Sequence, residues 1–276
     1  MRLCLNILNQ FPMTRIDSKL FELGLANSRS QAAQLIQRGV VRIDGKTVSK
    51  PSVKVTADQK VSVDEGQVYV SRAGYKLEHA LQQFGLEVQG AVAIDIGAST
   101  GGFSDCLLQR GAALILALDV GTAQLSTSIS SNPKVIELSN QNIREFSKEQ
   151  MLSIDERFER LSLAVCDLSF ISMTQALSAI SSLAEELDLV GLIKPQFEVG
   201  QHSLSASGVV NDWRERKRAI EQVIEAAGKL GFRVAGLEQS PIKGATGNQE
   251  YLIWLSKREL NGTEWSEEID QIARGS

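Results

Sequence analysis

Charged residues stand where long apolar runs end. Asp95 follows "AVAI", Asp119 closes "ALILAL", Asp167 closes "LSLAVC" and Lys194 closes "LDLVGLI". An acid in such a place can accept hydrogen bonds from hydroxyls or balance a cation. A lysine there is seldom inert, because lysine is almost never fully buried without a partner. Two more charges belong with them by position: Lys76 in "SRAGYKLEHAL", ahead of the first run, and Glu250, which opens the last run, "EYLIWLSK". Lysines and carboxylates gathered in one place can orient a hydroxyl or move its proton.

The first run leads into a glycine-rich turn, "AIDIGASTGGFSD". A phosphate-binding loop needs Gly-Lys-Ser/Thr at the start of the following helix, and this turn has no lysine. A dinucleotide turn needs G-x-G-x-x-G; Gly97, Ser99 and Gly102 give G-x-S-x-x-G, a partial match. S-adenosylmethionine has no phosphate and calls for an acid at the strand end, an open glycine turn, and a second acid on the next strand for the ribose hydroxyls. Asp95, the turn Gly97, Ala98, Ser99, Thr100, Gly101, Gly102 and Phe103, and Asp119 meet that demand, with Asn142 after "KVIELSNQ" and Asp167 as further candidates. Glycine turns follow first strands in many folds, so this segment alone leaves the ligand open.

Other chemistries lack their marks. The strand ending in Asp167 continues as "DLSF", not as the D/N-P-P-Y/F turn of amino-directed methyltransferases. Cys166 neighbours Asp167 but alternates to the opposite face of an extended strand, and reads as core. His79 falls within a helix and His202 in a polar loop, "GQHSLSASG", that could act as a lid. Cys4, Cys106 and Cys166 are too far apart for a disulfide framework or a zinc site; no metal is expected.

The elements that must position these residues follow from the pattern. Near-continuous Val/Ile/Leu runs alternating with amphipathic segments predict a doubly wound α/β domain with a parallel sheet covered on both faces. The last strand, beginning at Glu250, is expected to run antiparallel. Trp213 and "RERKR" open a helix whose charges read as a solvated face, and "TEWSEEIDQIARGS" suggests a terminal helix. No stretch approaches the roughly 20 apolar residues that span a bilayer.

The chain has 276 residues and a net charge of −4, yet residues 14–63 carry nine lysines and arginines against four acids. A basic module on an acidic body suggests an appendage that binds a polyanion. In it, Asp17 or Ser18 can cap a first helix ending at Gly24, and Ser28 a second ending at Gly39. "VVRIDGKTV" then forms a hairpin about Asp44-Gly45. The stretch "SRSQAAQLIQRGVVRIDGKTVSKPS" resembles the S4-type RNA-binding domain. That resemblance makes Arg15, Lys19, Arg29, Arg38, Lys46 and Lys50 candidate phosphate contacts.

In the body, the order Lys76, Asp167, Lys194, Glu250 resembles the catalytic tetrad of FtsJ-like ribose 2′-O-methyltransferases. With "DIGASTGGFSDCLLQRGA", "ALDVG", "DLSFIS", "LIKPQFEVG", "SGVVND" and "GNQEYLIWL" in register, residues 14–256 resemble the TlyA family. Ala73 and the linker "QVYV" depart from its pattern. The resemblance implies an S4-type domain at 14–64, a linker at 65–72, a methyltransferase domain at 73–262 and a C-terminal helix or tail at 263–276. Residues 1–13 read as a disordered leader or mis-assigned start. It further implies S-adenosylmethionine as cofactor, 2′-O-methylation of cytidine in ribosomal RNA of the large subunit or both, a cytoplasmic site of action, and no membrane or DNA partner. A non-catalytic ribosome assembly factor and a hemolysin, a label some members carry, are the rival readings.

Overall fold

A computed structural model of the chain describes residues 13–26, 28–37, 39–63, 69–258 and 265–275. Residues 1–12, which hold most of the expected leader, Arg38, and parts of the expected linker and tail lie outside them. The chain divides into two compact units, residues 1–72 and 73–276.

In the first unit, β1 (Thr14–Arg15) leads into α1 (Ile16–Glu22) and α2 (Arg29–Gln37). These precede β2 (Val41–Ile43), β3 (Lys46–Thr47), β4 (Lys54–Val55) and β5 (Val61–Val63). β3, β2 and β5 form an antiparallel sheet, and β1 pairs with β4. Ile16, Leu20, Ala32, Ile36, Val41 and Val55 close a small core. Asp44 and Gly45 both have positive φ, 51° and 80°, the requirement of the tight hairpin turn expected there. The helix start differs from expectation. Arg15 stands at the N-cap position of α1 without a side-chain cap, and Asp17 and Ser18 lie inside its first turn, where the Asp17 carboxylate takes two hydrogen bonds from Arg15 at 2.8 and 3.1 Å. An acid one turn into a helix favours the positive end of its dipole, so Asp17 supports the start without being the cap.

The second unit opens with α3 (Arg72–Phe84), of which residue 72 stands at the division between the units. There follow β6 (Val92–Ile96), α4 (Gly102–Gln109), β7 (Leu114–Leu118), α5 (Thr127–Ser130), β8 (Val135–Leu138) and α6 (Lys148–Ile154). Then come β9 (Leu161–Cys166), α7 (Met173–Ser182), β10 (Asp188–Ile193), α8 (Pro195–Glu198), α9 (Trp213–Gly228), β11 (Arg233–Gln239), β12 (Tyr251–Ser256) and α10 (Ser266–Arg274). The seven strands form one sheet in the order β11-β12-β10-β9-β6-β7-β8. β6 to β10 are parallel, and β12 runs antiparallel between β10 and β11. Every residue of β6, β7 and β10 is buried, as strands covered on both faces must be. The doubly wound fold is as expected.

From β6 the chain winds one way through β7 and β8, then crosses back to β9 and winds the other way. The strand order therefore reverses between β6 and β9, and the carboxyl ends of two such strands leave a crevice. Gly97 and Asp167 stand at that opening.

The "RERKR" segment of α9 is not simply a solvated face. Arg216 donates to the carbonyls of Ala273 and Arg274 at 3.1 and 3.4 Å, Lys217 lies 2.5 Å from Asp270, and Arg214 and Arg274 both stand over the Trp213 ring. These groups dock α10. The loop "GQHSLSASG" is likewise tied down: buried Asn248 accepts from the Val210 N–H and donates to the Gly208 carbonyl, both at 2.9 Å.

Candidate active site

β6 ends at Ile96, and Gly97 turns away with φ +82°. A Cβ on this residue would come within 2.8 Å of the Asp167 carbonyl oxygen, so only glycine lets the turn pass so close to β9. The Gly97 N–H bonds the Leu118 carbonyl at 2.8 Å, which ties the turn to the end of β7. Just beyond β7, Asp119 accepts from the Ser99 N–H at 2.8 Å and from the Gly121 N–H at 2.7 Å. Each oxygen keeps a lone pair for a further donor, as an acid meant for a pair of hydroxyls would.

Beneath the turn, Asp95 is fully buried. Its Oδ2 accepts from the Ser104 N–H at 2.8 Å and Ser104 Oγ at 2.7 Å, which holds the start of α4. Its Oδ1 has no partner. Burial pushes its pKa up to about 7; Asp167 and Asp119 add to the rise, against the hydrogen bonds from Ser104.

Over the crevice opens a cavity of about 480 Å³. Gly97, Ser99, Asp119, Asn142 and Asp167 of the expected set line it. The rest of that set stands behind the lining: Ala98, Gly101, Gly102 and Phe103 are buried, Thr100 is exposed, and Asp95 supports the turn from below. Sequence reasoning missed Gln124, Arg144, Ser169 and Phe170, which also line the cavity. Asn142 accepts from the Arg144 N–H at 3.1 Å and starts a short helical turn.

The charged row lies along the same edge. Lys194 follows the last residue of β10, and Ile193 pairs with Tyr251 in antiparallel register, so Lys194 and Glu250 leave the sheet side by side. The four charges meet in two pairs: Lys76 Nζ with Glu250 Oε2 at 2.5 Å, and Lys194 Nζ with Asp167 Oδ1 at 2.6 Å. Lys76 and Lys194 are each 8% exposed. Gly244 makes room for the acid, since a Cβ there would lie 2.5 Å from Glu250 Oε1. Lys194 also donates to Ser169 Oγ at 2.9 Å. The Asp167 Oδ1 that meets Lys194 has a second lone pair, so the carboxylate retains acceptor capacity. Asp167 belongs both to the charged row and to the cavity wall.

Three residues on, Phe170 adopts φ +67° and is 93% exposed, its ring 5.5 Å from that of Phe197. A left-handed, non-glycine residue costs on the order of 1–3 kcal/mol and persists only where its surroundings hold it. The residues set aside as catalysts fit that reading: Cys166 is fully buried in the core, and burial raises its thiol pKa far above the ordinary value. His79 lies on α3. Among the described residues no group of three or more His, Cys, Asp or Glu is placed to hold a metal.

In the first unit, Lys46 and Lys50 come together with Lys54 around an open hollow of about 450 Å³. Lys54 was not among the expected contacts. Arg29 is exposed, Arg15 is engaged with Asp17, and Lys19 lies 3.8 Å from Glu22; none of the three lines the hollow. Arg38 lies outside the described residues.

Known proteins match both units. The S4 domain matches residues 14–61, and the FtsJ-like methyltransferase family residues 69–257. The chain is 42% identical over 244 residues to the 16S/23S rRNA (cytidine-2′-O)-methyltransferase TlyA of Mycobacterium tuberculosis, covering 87% of this chain and 89% of that protein. It is 38% identical over 239 residues to Hemolysin A of Brachyspira hyodysenteriae, covering 86% and 98%. A solved structure of a Streptococcus thermophilus protein described as a hemolysin superposes with a TM-score of 0.71 at 35% identity, covering 96% of this chain and 95% of that one. Among the described residues no helix is long and apolar enough to cross a membrane. A switch-point crevice with paired lysines and acids at its rim, and a family match over most of the chain, lead to one assignment: the chain belongs to the FtsJ-like methyltransferase family and carries an S4 domain ahead of it.

Proposed function

We propose that the chain transfers a methyl group from S-adenosylmethionine to the 2′-oxygen of a cytidine ribose in ribosomal RNA. RNA is held by residues 14–64, transfer is carried out by residues 73–262, and the protein acts in the cytoplasm, where ribosomal subunits are its partners. The observation that carries the reading is Lys194, which stands behind the cavity and contacts two residues of its wall, Asp167 and Ser169.

The residues present fit the cofactor. Asp119 offers free lone pairs for ribose hydroxyls, Gly97 leaves the space a side chain would fill, and the acids Asp119 and Asp167 suit a cationic ligand. When bound, S-adenosylmethionine supplies an electrophilic methyl group. An ammonium carries three hydrogens; Ser169 can take one and Asp167, at 2.6 Å, another, which leaves a third. Lys194 thus keeps donor capacity to orient the attacking hydroxyl, and as a free amine it can take the hydroxyl proton when the O–C bond forms. Lys76 and Glu250, paired with each other, hold the far end of the row. The relative from M. tuberculosis, named for the same reaction on 16S and 23S RNA, supports the substrate.

The test is incorporation of label from S-adenosylmethionine into isolated subunits and naked ribosomal RNA, with Lys194→Ala as control. Ribose methylation of a cytidine that disappears in the variant is the expected result. A wild-type protein that binds subunits and cofactor yet transfers nothing would make it a non-catalytic assembly factor.

A further inference from the structure

Two segments leave the sheet at neighbouring strands. One is "DLSFIS", residues 167–172, after β9; the other is "KPQFE", residues 194–198, after β10. They are joined at three successive places. Lys194 meets Asp167 and Ser169, the Phe197 ring lies against Phe170, and Glu198 reaches the start of α7. There its Oε1 accepts from the Met173 N–H at 2.8 Å and its Oε2 accepts from the Ser172 hydroxyl. Ser172 itself caps α7 by accepting from the Thr174 N–H at 3.1 Å. Glu198 is half-buried, and burial raises its pKa against these hydrogen bonds. A half-buried carboxylate that uses both oxygens on a neighbouring segment is a tie between the two, and its placement at a helix N-terminus suits its charge.

We propose that Glu198 is a positioning residue for Lys194: by gripping Ser172 and Met173 it fixes the segment that supplies Asp167 and Ser169 against the turn that supplies Lys194. The inference rests on the methyl-transfer reading, in which the Lys194 ammonium must address a substrate oxygen. Three residues separate the tie from the lysine, and α8 is a single turn, with Lys194 at its N-cap position and Glu198 at its end, so the spacing between them is short. The segment on the other side contains the left-handed Phe170, a conformation that relaxes unless both ends are held.

The experiment compares Glu198→Ala, Glu198→Gln, Lys194→Ala and the double variant Glu198→Ala/Lys194→Ala. Misplacing a reacting group by about 1 Å costs on the order of 100-fold, so Glu198→Ala is expected to lower kcat by about 10- to 100-fold. Affinity for S-adenosylhomocysteine, read by calorimetry, falls by less than kcat does, because Asp119 and Asn142 keep their places in the cavity wall while only the side formed by residues 167–171 loosens. Glu198→Gln, which keeps an acceptor for Met173, recovers most of the rate. The double variant is no slower than Lys194→Ala alone, the non-additivity expected of residues acting through one another.

A second readout needs no methyl transfer. In a pulse of acetic anhydride followed by peptide mass spectrometry, Lys194 is expected to label several-fold faster in Glu198→Ala, while the equally buried Lys76 is unchanged. Additive losses in the double variant, or both lysines labelling faster together, would reduce Glu198 to general support of the fold and overturn the proposal. An unchanged kcat overturns it as well. If the wild-type protein transfers no methyl group but the lysines label as expected, the methyl-transfer reading falls and the tie stands.

Discussion

The lysines of the two units live under opposite conditions. Lys46, Lys50 and Lys54 stand exposed around an open hollow, while Lys76 and Lys194 are nearly buried and each is pressed against a carboxylate. Exposed cations act through a summed field, screened over about 10 Å at 0.1 M salt, so no single one has to be in a fixed place. A buried cation is different. Its loss of hydration must be offset by a well-placed partner, and removing that partner leaves a charge stranded. The first unit therefore tolerates exchange among its lysines, and the second does not.

Four substitutions test that contrast. The largest expected effect is on chemistry: Lys194→Ala lowers methyl transfer by about 10²- to 10⁴-fold, the range of a lost proton-handling group, in a single-turnover assay with cofactor affinity retained. Next comes stability. Lys76→Ala strands Glu250, whose side chain is 4% exposed, and costs about 3–5 kcal/mol in urea unfolding; Lys46→Ala, on the surface, stays within about 0.5 kcal/mol. Equal losses at the two positions would erase the distinction. The double variant Lys46→Ala/Lys50→Ala lowers RNA affinity and reduces the slope of log K against log salt by about 1–2. Its transfer rate at saturating RNA stays that of the wild type.

A separate effect, on pH dependence, concerns Asp95. Folded, it holds its proton up to about 7; its ordinary value is 3.8. The folded protein thus binds the extra proton between those values, and the stability this gives is complete below about pH 4 and lost as pH rises through 7. Asp95→Asn has no such loss. The Tm of the variant relative to the wild type is therefore expected to climb between pH 5 and pH 8, and parallel curves would show that Asp95 is ionised throughout.

Much of this arrangement was legible because it follows from chain-local rules. A parallel strand buried on both faces must be an apolar run, so the strands ending at Asp95, Asp119, Asp167 and Lys194 announced themselves, and a charge after such a run marks the sheet edge. Gly97 was legible as a turn, although its reason, the Asp167 carbonyl 2.8 Å from a would-be Cβ, depends on a strand 70 residues away. What stayed hidden is set by distant partners. Ser169 and Phe170 acquire their meaning from Lys194 and Phe197, which stand opposite them more than 20 residues later. "RERKR" looked solvated because its partners Asp270, Ala273 and Arg274 come more than 50 residues later. Asp17 resembled a cap because cap and first-turn acids share one composition, and only the backbone separates them.

The position of β12 has a consequence for synthesis. It lies between β10 and β11 yet is the last strand in the chain, and Glu250 stands at its head. All five parallel strands precede it in the chain, and β11 has no neighbour to join until residues 251–256 are present. The lysine near the start of the domain, Lys76, waits through most of translation for its carboxylate. The row of charges cannot be completed before residue 250 is present, so a chain cut short of it carries the residues of the cavity and Lys194 but not the finished edge.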